Sequence, residues 1–179
     1  VSTPKGMMIV AERLVEKCLS RWGIEGQVLA TAQGNRLGGL VFRHPLFDWP
    51  EPRDGHPLSY RRKAPLHLAE YVTAEDGTGL VHSAPAYGVD DYNSCVAHGL
   101  SNDDILNPVQ GHGVYVEDLP LFGGMNIWKA CPVIIEALKT HERLLCTQAI
   151  EHSYPHCWRH KNPVIYRAAA QWFVRMDEG

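Results

Sequence analysis

The sequence predicts an α+β fold with a barrel-like mixed β core and peripheral helices. Three observations lead there. Short apolar runs recur between Gly, Pro and Asn turn signals, at residues 7–10, 28–32, 40–42, 80–83 and 114–116. Three longer stretches space their apolar residues as a helix does. The order of the runs lacks the regular β-α-β alternation of a doubly wound sheet.

Taken along the chain, residues 7–10 read as a first strand. Residues 12–22 read as a helix, because Leu14, Val15, Cys18, Leu19 and Trp22 fall on one face and Gly23 supplies the stop. Residues 28–32 and 40–42 read as strands on either side of the Gly34-Asn35 turn. Residues 45–65 are rich in Pro, Gly and charge, so a long loop is expected there, of the kind that often serves function. Leu66, Leu68 and Tyr71 mark another strand, ending at Asp76-Gly77. Residues 80–83 form a strand that runs into the turn Pro85-Ala86-Tyr87-Gly88. A helix over 90–98 follows, closed by Gly99, with Asp90 and Asp91 in the first turn where carboxylates suit the helix dipole. Beyond the strand at 114–116, residues 132–142 read as a helix with Pro132 in its first turn. Residues 144–150 return as a strand. Residues 163–177 are aromatic and extended, and read as a connector to a further part.

A chain of 179 residues can bury one ordinary core. Its 45% hydrophobic and 21% charged residues fit a globular chain and exclude a disordered one. No apolar run approaches the roughly 20 residues of a membrane span, so no membrane partner is expected. Five scattered cysteines without a CxxC pair point to reduced thiols and a cytoplasmic protein. The net charge of −3 gives no overall signal for nucleic acid. Basic residues do cluster locally, at Arg61-Arg62-Lys63 and Arg159-His160-Lys161, where the ordinary reading is a solvated loop.

The densest polar segment is Gly77-Thr78-Gly79-Leu80-Val81-His82-Ser83-Ala84, followed by the turn and Asp90-Asp91. Its glycines allow close backbone approach. A histidine and a carboxylate nine residues apart can converge across a strand–turn–helix corner, while Ser83, Ala84 and Ala86 leave room for a ligand. A carboxylate there can pair with an ammonium, and an imidazole can wall off or polarise the site. The plain alternative is an N-capping Asp and a satisfied strand histidine. No GxSxG elbow, P-loop or GxGxxG is present. Cys157 and His160 have metal-ligand spacing, but a tetrahedral site needs a second pair, so neither metal nor cofactor is expected.

GTGLVHSAPAYGVDDY resembles the editing-site segment of bacterial isoleucyl-tRNA synthetases. HSYPHCWRHKNPVIYRAAAQWFVRMD resembles the segment where that family's chain leaves the editing insertion, and NPVQGHGVYVEDLPLFGGMNIWKACPVIIEAL between them reads the same way. Valyl and leucyl relatives share the GTG and the later carboxylate. They typically lack a histidine at the position of His82 and carry Ala-His-Asp in place of Ala86-Tyr87-Gly88. The resemblance implies a barrel-like editing domain over residues 1–155, N-terminally truncated because the family's threonine-rich strand should precede residue 1, and a connector over 156–179 that returns to an absent catalytic domain. It implies hydrolysis of valine wrongly joined to the isoleucine tRNA, with the tRNA acceptor end and the valine moiety, as ester or adenylate, for partners. His82 and Asp91 are the acting residues: a histidine matching His82 excludes isoleucine, and an aspartate matching Asp91 holds the α-ammonium. Gly77, Thr78, Gly79, Ser83 and Ala84 complete the substrate-binding set. The competing readings are a binding module without turnover and an unrelated hydrolase with His82 as general base.

Overall fold

The computed structural model describes residues 1–49, 56–151 and 153–177. Residues 50–55 of the expected long loop, and His152 of the exit motif, lie outside them. At the start, β1 (Ser2–Thr3) and β2 (Gly6–Met7) form an antiparallel hairpin. A single 3-10 turn at Glu12–Leu14 leads into α1 (Val15–Trp22). Leu14 and Cys18 are its buried residues, four apart as one helical face requires. Gly23 ends the helix in the left-handed conformation, its amide reaching the carbonyls of Leu19 and Ser20.

A second antiparallel pair joins β3 (Val41–Arg43) to β4 (Lys63–Pro65), with Phe42 opposite Ala64. β4 lies inside the stretch expected to be loop. The helix α2 (Val89–Ala97) follows the Pro85–Gly88 turn and gives way at Gly99. The helix α3 (Ile127–Thr140) begins five residues before the expected start. Asn126 caps it, its side-chain oxygen accepting the Trp128 amide at 3.1 Å. Pro132 sits inside the helix, forgoing one amide bond near the start, where few such bonds have formed.

The barrel-like mixed core is not formed among the described residues, and both sheets are two-stranded and antiparallel. Segments 28–32, 80–83 and 144–150 form no ladder, the 66–71 run has only the Leu66 amide on the Leu40 carbonyl at 2.8 Å before it turns at 70–71, and 114–116 contributes only the bridges Val109–Tyr115 and Val114–Asn126. An apolar run records a preference for an extended, half-covered chain. It does not name the partner that completes a ladder. Val28, Leu29, Val81 and Ile150 from those runs are correspondingly exposed.

The core is small. Leu46, Leu119 and Phe122 are buried together, with Tyr60, Tyr115 and Leu138 packed against them. Tyr60 donates its hydroxyl to the Pro120 carbonyl at 2.7 Å, which joins the long loop to the 119–122 turn. Trp49 meets His141 edge-on, and Arg143 pairs with Asp48 at 3.2 Å, fixing the end of α3 to the same loop.

Candidate functional site

Three consecutive residues at the start of the polar segment are tied to α1 and to Ala11 ahead of it. Asp76 pairs with Lys17 at 3.0 Å, the Gly77 carbonyl accepts the Cys18 thiol at 3.3 Å, and the Thr78 carbonyl accepts the Ala11 amide at 2.8 Å. The hydrogen bond from Lys17 holds the Asp76 carboxyl below its ordinary value, aided by the Gly77 amide. Gly79 closes the contact. It sits at φ +79°, and a Cβ there would come within 2.5 Å of the Ala11 Cβ, so only glycine fits. The Thr78 hydroxyl turns inward on its own chain, donating to the Leu80 carbonyl at 3.1 Å.

Residues 81–84 carry no regular structure, and the chain then turns, the Tyr87 amide closing on the Ala84 carbonyl at 2.8 Å. Gly88 occupies the N-cap of α2 and offers no side chain to cap it. Asp90 is exposed, while Asp91, half-buried, points back across the turn. Its Oδ2 accepts the Ala84 amide at 3.0 Å and lies where a Cβ on Gly88 would meet it at 2.9 Å. Asp91 is therefore no N-cap. Among the described residues its Oδ1 makes no hydrogen bond.

His82 and Ser83 occupy the stretch between. Ser83 Oγ stands 3.5 Å from the Tyr71 hydroxyl, at the long end of a hydrogen bond. His82 is exposed, and among the described residues no hydrogen bond or ion pair joins it to Asp91. Its electrical neighbour is His44. Burial first, and His82 second, push the His44 pKa below its ordinary value. His44 Nδ1 accepts the Leu46 amide at 3.1 Å, so the neutral ring carries its proton on Nε2. The ring stacks on Tyr60 with centroids 5.0 Å apart. The structure thus joins Asp91 to Ala84 and sets Gly77, Thr78 and Gly79 against α1. It does not converge His82 on the carboxylate.

The underside of the turn is bolted to distant chain. The Tyr87 hydroxyl accepts the amide of Val109 at 3.2 Å, and burial raises the Tyr87 pKa. The Ala86 carbonyl accepts the Ala168 amide at 2.7 Å, the Ala168 carbonyl accepts Asn107 Nδ2 at 2.6 Å, and Arg167 donates to the Val109 carbonyl. Asn107 Oδ1 is buried and has no hydrogen-bond partner among the described residues. Sequence reasoning gave no site role to His44, Tyr71, Asn107 or Ala168, although Asn107 and Ala168 lie in the family-like segments and His44 opens the Pro-rich loop with a His-Pro step. Cys157 Sγ lies 3.4 Å from His160 Nδ1, and among the described residues no group of three His, Cys, Asp or Glu is placed to hold a metal.

No family model matches the chain. Against curated proteins it is 54% identical over 177 residues to the isoleucine-tRNA ligase of Paraburkholderia phymatum, across 99% of this chain. The chain is similar to isoleucine-tRNA ligases. The corresponding ligase of Chromohalobacter salexigens is 55% identical over 178 residues, and that of Bordetella petrii 54% over 171. The chain spans only 17–18% of the length of these ligases. The similarity covers nearly the whole chain, so it includes the GTG segment, the turn at Pro85–Gly88 and Asp91 together. No helix among the described residues is long and apolar enough to cross a membrane.

Proposed function

We propose that this chain provides the editing site of an isoleucine-tRNA ligase and hydrolyses the ester of valine wrongly attached to the isoleucine tRNA, or the corresponding valyl adenylate. The observation that carries this reading is the Asp91 carboxylate, held by the Ala84 amide through one oxygen with the other left over. The substrate's α-ammonium pairs with that free oxygen. Water then attacks the ester carbonyl carbon. The carbon–oxygen bond to the terminal ribose breaks, and the ribose oxygen leaves with a proton that came from the water. Free valine and uncharged tRNA result. The need for such a site is the handling of one methylene, the case the double-sieve principle describes for this very pair of amino acids: the missing group supplies too little binding energy for one pocket to reject valine.

On this reading His82 is the sieve. An exposed histidine without a carboxylate partner lacks the orienting group that a general base uses. Its ring instead occupies space that isoleucine's longer side chain requires. Residues 1–155 belong to the editing unit, and 156–179 lead back to the ligase's catalytic domain. Trp172 is 100% exposed and Phe173 90%, and this apolar surface suits contact with that domain.

The test is removal of the segment from a whole ligase. Isoleucine activation serves as the control for folding. Valyl-tRNA is expected to accumulate while activation persists; clearance of valyl-tRNA at the original rate defeats the proposal.

A further inference from the structure

We infer that Cys157 and His160, facing each other in the hairpin at residues 155–164, form a thiol-modification site for a small anionic disulfide, separate from the Asp91 corner. The hairpin is closed at three points. The Val164 amide donates to the Pro155 carbonyl at 3.0 Å, the Cys157 amide to the Asn162 carbonyl at 2.8 Å, and the Lys161 amide to the Cys157 carbonyl at 2.8 Å. Lys161 takes the left-handed conformation at φ +58°, which sharpens the tip. Cys157 is thus held through both of its backbone groups, and its Sγ lies 3.4 Å from His160 Nδ1. A nucleophile within hydrogen-bond reach of a base is the arrangement that activates a thiol. Cys157 is half-buried and His160 exposed, so a reagent in water can reach the pair.

The other cysteines lack one requirement or the other. Cys18 and Cys95 are buried; the Cys18 thiol is donated to the Gly77 carbonyl, and burial pushes the Cys95 thiol up. Cys131 and Cys146 are exposed, but among the described residues neither has an imidazole within hydrogen-bond reach. Charge then selects the reagent. Arg159 and Lys161 flank His160 in sequence, both exposed, and among the described residues neither pairs with a carboxylate. The Arg159 guanidinium rests 4.9 Å over the Trp158 ring, which keeps it at the tip. A disulfide that carries carboxylates, as glutathione disulfide does, is drawn to such a tip. In the reaction the Cys157 sulfur attacks one sulfur of the disulfide and its proton passes to His160 Nδ1. A new sulfur–sulfur bond forms as the old one breaks, and the departing sulfur takes the electron pair and then the proton. Cys157 is oxidised to the mixed disulfide and half of the reagent is reduced to thiol; excess thiol reverses the step.

The whole 179-residue chain is treated with glutathione disulfide near neutral pH, and the adduct on each cysteine is timed by peptide mass spectrometry. A free thiol is only a few per cent thiolate there, so a proton acceptor in reach is expected to make Cys157 react about ten-fold faster than Cys131 and Cys146. The preference is expected to vanish in urea. His160→Asn is expected to bring Cys157 down to the rate of the two exposed thiols. Arg159→Gln combined with Lys161→Gln is expected to slow glutathione disulfide and to spare the uncharged hydroxyethyl disulfide. If His160→Asn loses its far-UV spectrum, the comparison among Cys157, Cys131 and Cys146 in the unaltered chain decides the matter. The inference is overturned if Cys157 reacts no faster than the two exposed thiols in the folded chain, if its lead survives in urea, or if folded His160→Asn keeps it. It is also overturned if the double charge variant treats the two disulfides alike. No tRNA enters these measurements, so failure here and failure of the deacylase assay are separate results.

Discussion

Asp91 Oδ2 accepts the backbone amide of Ala84 at 3.0 Å, so the first turn of α2 holds the far end of the His82 strand segment in place. The carboxylate is a brace and, in the function proposed above, also a docking point through Oδ1. These two duties can be separated. In a whole ligase, Asp91→Asn retains an oxygen for the Ala84 amide and loses the charge. It is expected to slow valyl-tRNA deacylation by roughly 10- to 150-fold, the loss of a charge-assisted pair of about 1.5–3 kcal/mol, with little change in thermal stability. Asp91→Ala is expected to lose both. Deacylation at the original rate in Asp91→Asn removes the carboxylate from substrate binding. Asp90, exposed at the same helix start, is expected to tolerate alanine.

His82→Ala, also in a whole ligase, is expected to admit correctly charged isoleucyl-tRNA and allow its hydrolysis while valyl-tRNA is still cleaved. Excluding one methylene is worth about 1–3 kcal/mol, so the preference for valyl over isoleucyl ester is expected to fall by roughly 10- to 200-fold. If valyl-tRNA hydrolysis disappears and isoleucyl-tRNA is spared, His82 is a chemical participant and not a sieve.

Tyr87→Phe keeps the ring and removes the acceptor of the Val109 amide, whose residue is buried. A buried amide without a partner costs about 1–3 kcal/mol. The urea midpoint of the chain is expected to drop accordingly. An unchanged midpoint means that water or another carbonyl replaces the hydroxyl.

His44 gives stability a pH dependence of known sign. Its pKa is lowered in the folded chain, chiefly by burial, from an ordinary value of 6.5. As pH falls through about 6.5 the unfolded chain takes up the proton first, so stability is complete above that value and declines below it toward the folded pKa. His67, shifted the same way by burial and then by the His98 ring stacked 4.0 Å away, adds to the trend. The difference in unfolding midpoint between about pH 7 and pH 5.5 is expected to shrink in His44→Asn, whose side-chain oxygen can still accept the Leu46 amide. An equal difference in the two proteins assigns the effect elsewhere.

Helices were legible because their signals are local. The Leu14–Cys18 spacing and the stop at Gly23 sit within one stretch of chain, and so do Asp91 and Gly99 around α2. Which of the two aspartates turns inward depended on helix register: residue 91 points back over the turn and residue 90 out to water. The strand expected at 40–42 is present as β3, whereas those expected at 28–32, 80–83 and 144–150 form no ladder, because a ladder depends on a partner elsewhere that Val81 or Ile150 cannot announce. The polar corner was legible as a segment, while its supports were not. Asn107 and Ala168 lie inside the longer family-like segments, but nothing in those segments tells that they meet each other or the turn.

Ala168 bonds through both backbone groups, by its amide to Ala86 and by its carbonyl to Asn107. The stretch from residue 168 to 177 is therefore a lever whose short arm ends at Ala86, five residues from Asp91. A displacement of residues 169–177 beyond the slack of a hydrogen bond must either break the Ala86 contact or drag the turn with it. Strain applied along residues 169–177 thus reaches the turn mechanically and becomes a change of geometry beside the Asp91 carboxylate.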